Sequence, residues 1–77
     1  MNKSRRKWLG DIIAQLTEKK DDLESVRDEE QEAYDNLPES IQYAERGEAM
    51  SDTISDIDSA IGDLESIIDT LQDIIDR

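Results

Sequence analysis

The sequence predicts an all-α protein: one antiparallel helical hairpin of coiled-coil character over residues 1–77, closing with a second copy into a four-helix bundle. Three observations predict it. From Met50 onward the large apolar residues fall at Met50, Ile54, Ile57, Ile61, Leu64, Ile68, Leu71 and Ile75, in steps of four and three that alternate without a slip. Only a helix gathers such residues on one face, because a strand with its period of two scatters them over both. A poorer seam runs earlier, with Leu9, Leu16, Leu23 and Glu30 at one heptad position and Ile12, Lys19, Val26 and Ala33 three residues on. The only proline, Pro38, stands between the two seams.

The first helix is expected from about residue 4 to 36. Ser4 is its expected N-cap, although Arg5, Arg6 and Lys7 oppose the positive end of the helix dipole. Lys19 and Glu30 interrupt the seam, Ile13 and Tyr34 flank it, and a long lysine stem can cover apolar surface while its head reaches water. Proline lacks an amide hydrogen and disfavours helical geometry in the residue before it, so this helix stops by Leu37. Residues 37–44 then form a connector with one helical turn, and Gly47 marks the junction to the second helix, at about 45–76. A start at Pro38 would instead give one longer helix bent near Gly47.

With Ile54 at heptad position a, the second helix carries Ile54, Ile61, Ile68 and Ile75 at a, and Met50, Ile57, Leu64 and Leu71 at d. Ala60, Ile67 and Ile74 widen the stripe at g, while Asp58, Glu65 and Gln72 occupy e. Two rods of about 30 residues joined by a short connector favour an antiparallel pair. One neighbour covers only part of so wide a stripe, and 77 residues barely supply a core of their own, so a homodimer is expected. Isoleucine at a also suits a parallel coiled coil of several chains, with the first helix packed outside.

The chain has no cysteine and no histidine. That removes disulfides, thiolate metal sites and the commonest nucleophile–base pairs, so no catalytic residue, cofactor or metal is expected. Asp56-Ile57-Asp58-Ser59 resembles the start of a calcium loop, but Ile61 stands where such a loop needs glycine and Ile67 where it needs glutamate. Gly10, Gly47 and Gly62 form no phosphate-binding motif.

Charge is the strongest functional signal. The formal net charge is −12, from 21 acids and 9 bases. Lys3, Arg5, Arg6 and Lys7 place +4 ahead of the first acid, Asp11, which leaves −16 on the remainder. Such a body repels nucleic acid and anionic membrane and attracts basic protein surfaces, including clefts that otherwise receive nucleic acid. From Glu48 to Asp76 there are nine acids and no base, seven of the nine being aspartate. Glutamate alternating with lysine would serve solubility with better helix propensity and stabilising pairs, so the aspartates are held against helix stability. Asp52, Asp56, Asp63, Asp69, Asp73 and Asp76 are therefore the candidate partner-binding face, with plain solvation as the alternative.

The basic tip, Lys3, Arg5, Arg6 and Lys7 with Trp8, has two readings. The hairpin brings it toward Asp69, Asp73 and Asp76, which would neutralise it; alternatively it touches phosphate or lipid headgroups with Trp8 as an interfacial anchor. No stretch approaches the roughly 20 apolar residues of a membrane span, and the basic start is not followed by a signal-peptide core. A cytoplasmic location is expected.

The stretches Ala33-Tyr34-Asp35-Asn36-Leu37-Pro38-Glu39-Ser40 and Glu45-Arg46-Gly47-Glu48-Ala49-Met50 resemble a group of small acidic proteins encoded by phages and prophages of Gram-positive bacteria. The resemblance implies a helical hairpin in a mobile-element setting and supplies no activity. It does not extend to Trp8 or Tyr43. Together with the charge, it points to a protein that binds and inhibits a host protein, such as a defence nuclease, through an acidic face that mimics DNA. The other reading is a coiled-coil assembly or adaptor protein acting through its apolar seam.

Overall fold

In the computed structural model, which describes residues 1–77, the chain forms three helices: α1 (Lys3–Asp35), the single-turn α2 (Glu39–Gln42) and α3 (Glu45–Asp76). Asn2, not Ser4, caps α1, its Oδ1 accepting the Arg5 backbone N–H at 2.8 Å. Asparagine caps as well as serine, and capping there lengthens the helix by two residues. At the other end Pro38 takes extended geometry (φ −55°, ψ 143°) and opens α2. Gln42 ties this turn together: its Nε2 donates to Tyr34 O, which also accepts the Leu37 N–H at 3.1 Å, and to the connector carbonyl Leu37 O, at 3.1 and 3.2 Å.

The chain breaks again at Tyr43 and Ala44, so α2 and α3 are separate helices and not one bent rod. No side chain caps α3, but Glu45 and Glu48 lie in its first turn, where carboxylates favour the dipole. Gly47 is buried inside that first turn. A Cβ there would collide with the carbonyl oxygens of Ile41 and Gln42. The glycine thus lets α2 lie directly on α3 and sets the angle at which the chain turns back.

Two ion pairs fix how the long helices lie. Lys20 meets Glu65 at 3.7 Å and Arg27 meets Asp58 at 2.8 Å. The pairs are one heptad apart in each helix but run in opposite senses, so α1 and α3 are antiparallel, with Leu9 about level with Asp76 and Tyr34 with Ser51. Residues ahead of Trp8 overhang the end of α3.

The inner face of α1 differs from the expected seam. Lys19, Val26 and Ala33 are exposed, and the row that turns inward beside the leucines is Ile13, Lys20, Arg27 and Tyr34. The helix is rotated by about half the angle of one residue from the expected orientation, because Lys20 and Arg27 lay their aliphatic stems over α3 and pair with its e-position acids. Val26, the apolar candidate for that row, is 52% exposed.

The rod measures 58 × 15 × 12 Å, with a radius of gyration of 17.4 Å where a compact chain of this length would have about 11.5 Å. It exposes 5724 Å², against roughly 4,800 Å² for a compact protein of 8.8 kDa. Ile54 and Ile61, both at a, are the only buried hydrophobic residues. Met50, Ile57, Leu64, Ile68, Leu71 and Ile75 are half-buried.

Candidate interaction surfaces

The a/d seam of α3 separates two unlike flanks. At about 100° per residue, the e positions lie on one side of the a row and the d and g positions on the other. The e side faces the cations of α1. Arg27 Nη1 donates to Asp58 Oδ1 at 2.8 Å, and its Nε and Nη2 both donate to Asp28 Oδ1 at 3.2 Å. These hydrogen bonds, that to Asp58 first and that to Asp28 second, raise the guanidinium pKa further above its ordinary value. A raised basic pKa adds stability that is lost only as pH climbs through it, far above any working range. With Lys20–Glu65 a heptad away, this flank is polar and its cations are spoken for.

The other flank is apolar and open. Trp8, Ile12 and Val26 lie on the side of the α1 leucine row opposite Lys20 and Arg27. In an antiparallel pair that side meets the d/g side of α3, where Ala60, Ile67 and Ile74 stand. Trp8 is 67% exposed and Ile67 52%. Met1, Arg5, Trp8, Leu9 and Ile12 line a shallow apolar depression near the end of the rod, and a second depression on α3 contains Ile67 and Leu71 with Ser66 and Thr70.

The outer face of α3 carries the aspartates. Asp52, Asp56, Asp63, Asp69, Asp73 and Asp76 occupy b, c and f positions and all are exposed. The ion pairs of the molecule engage Asp22, Asp28, Asp58 and Glu65, and none engages these six. Their only side-chain hydrogen bond is the one Asp76 accepts from Gln72 Nε2 at 3.1 Å. Asp56-Ile57-Asp58-Ser59 is continuous helix, so its carboxylates diverge around the axis and do not converge on an ion.

The basic tip is at the same end of the rod as Asp69, Asp73 and Asp76, yet Lys3, Arg5, Arg6 and Lys7 form no ion pair with them. The overhang explains this, since α1 carries about its first turn and a half past the end of α3. The expected neutralisation within the chain therefore does not form, and the tip presents unpaired cations and Trp8 to solvent.

Sequence reasoning missed three working residues. Lys20 and Arg27 were hidden because an inward cation reads as a gap in a hydrophobic pattern; their spacing of seven, matched by Asp58 and Glu65, was the available signal. Gln42 left no signal, because its role depends on where the turn ends.

The chain is thus an all-helical hairpin of two long antiparallel helices with two shallow depressions on its surface. No protein family, curated protein or solved structure matches the chain. No helix is long and apolar enough to cross a membrane.

Proposed function

We propose that this is a small non-enzymatic binding protein whose aspartate-rich outer face seats on a basic surface of another protein, and that it works as a pair of hairpins. The observation that carries this reading is the distribution of partners: six exposed aspartates have no cation, while Lys20 and Arg27 are turned against α3. Unpaired carboxylates on one rigid helix, about a turn apart, can replace a row of phosphates in a cleft built for nucleic acid. The resemblance of the central stretch to phage-encoded proteins would make the partner a host protein, with a defence nuclease the natural candidate.

Binding of this kind weakens steeply with salt, because exposed charges are screened over about 8 Å at physiological ionic strength. Changing Asp56, Asp63 and Asp73 together to lysine should abolish capture of the partner from host lysate at low salt and leave helicity unchanged. Equal capture by the variant would eliminate the acidic face as the binding surface. A second reading, assembly through apolar contact with another helical protein, is favoured by the exposure of Trp8, Val26 and Ile67. Capture on that route would be nearly insensitive to salt.

A further inference from the structure

We infer that the occupant of the apolar flank is a second copy of this chain in antiparallel alignment, with the basic tip of each hairpin over the acidic turn end of the other. The inference rests on the reading of the molecule as self-associating and adds the face and the direction.

The face follows from the two flanks. The polar flank is already closed by Arg27–Asp58 and Lys20–Glu65, whereas the opposite flank leaves Trp8, Val26 and Ile67 more than half exposed. The rod exposes roughly 900 Å² more than a compact protein of its mass, on the order of the 800 Å² that each partner buries in a standard interface. Pairing along a flank 58 Å long supplies an area of that order. Ile67 lies in the last third of α3, at the level of the two-fold axis of an antiparallel pair that sets Arg5 over Glu30, so in that pair it meets its own copy.

The direction follows from charge. Lys3, Arg5, Arg6 and Lys7 overhang one end without ion pairs. The other end, residues 29–52, holds Glu29, Glu30, Glu32, Asp35, Glu39, Glu45, Glu48 and Asp52 against Arg46 alone. A parallel pair sets tip on tip and turn on turn. An antiparallel pair brings Arg5 and its neighbours toward Glu29 and Glu30, of which Glu30 is half-buried and has no cationic partner. The net charge of −12 opposes any self-association, but at physiological salt only charges within about 8 Å of each other count, so the two ends decide the alignment.

A charge swap tests this. One variant carries R5E, R6E and K7E; the other carries E29K and E30K; both are checked for helicity by circular dichroism and studied by sedimentation equilibrium alone and mixed. Each alone should self-associate at least about tenfold more weakly than wild type, and the equimolar mixture should recover wild-type association as a heterodimer. The second variant is decisive, because lowering the net charge from −12 to −8 would by itself strengthen association. A wild-type monomer at tens of micromolar would overturn the self-associating reading and this inference with it. A wild-type dimer whose variants fail to rescue each other, or a tip-reversed variant that pairs preferentially with wild type, would overturn the alignment alone.

Discussion

Gly47 has no room for one more carbon. The atoms that a Cβ would meet are backbone carbonyl oxygens of Ile41 and Gln42, which cannot rotate away as a side chain would. Gly47→Ala should therefore force α2 off α3 and cost about 2–3 kcal/mol, lowering the melting temperature by roughly 10 °C or more. Gly62, also within α3, has nothing within 4 Å of its would-be Cβ, so Gly62→Ala should raise stability by about 0.5–1 kcal/mol through helix propensity alone. Thermal melts of the two variants should move in opposite directions. At the same scale, Arg27 and Asp58 form the shortest cross-helix ion pair, between two partly exposed side chains. A double-mutant cycle to alanine in chemical denaturation should return a small favourable coupling that falls as salt is raised, and a smaller one for Lys20 and Glu65 at 3.7 Å.

At the scale of the element, the turn between the long helices depends on a side chain as much as on its proline. Gln42 donates two hydrogen bonds, one to Tyr34 O in the last turn of α1 and one to Leu37 O in the connector. Gln42→Glu replaces a donor by an acceptor and sets a carboxylate against two carbonyl oxygens, which should cost about 1–3 kcal/mol in denaturant unfolding. A cost near zero would mean that water serves those carbonyls equally well. The two long helices differ in how legible they were. The pattern of α3 was complete, since Met50 to Ile75 is a heptad seam with no polar member, and the structure turns that face to α1. The inner row of α1 was misread by one residue. A hydrophobic pattern favours Val26 over Arg27, but arginine can lay its apolar stem over α3 and still reach Asp58, so stem and ion pair together fill the inward position. Helix extents were readable to within a residue or two, because Pro38 and the seams bound them. The N-cap was not, because Asn2 and Ser4 are equivalent chemistry two positions apart.

At the scale of the molecule, charge and apolar surface divide the rod in two directions. Around its axis, a polar flank closed by ion pairs stands opposite an apolar flank that nothing covers, with the aspartates outside both. Along its axis, unpaired cations at the overhanging tip stand opposite the acids of the turn. The net charge and its placement along the sequence were legible from the start, but the overhang was not, since it depends on the register that Lys20–Glu65 and Arg27–Asp58 impose. That register turned an expected neutralisation of the tip into a free basic end. Triple reversal of Asp56, Asp63 and Asp73 probes the outer face without touching either flank, so it should remove partner capture while leaving self-association intact or, by lowering the net charge, stronger. On the reading proposed above, one hairpin is half of the assembly. Sedimentation equilibrium of the wild-type chain at tens of micromolar, with helicity followed in the same samples, tests it most directly. A mass of two chains at full helicity is the predicted result, and a fully helical monomer would contradict it.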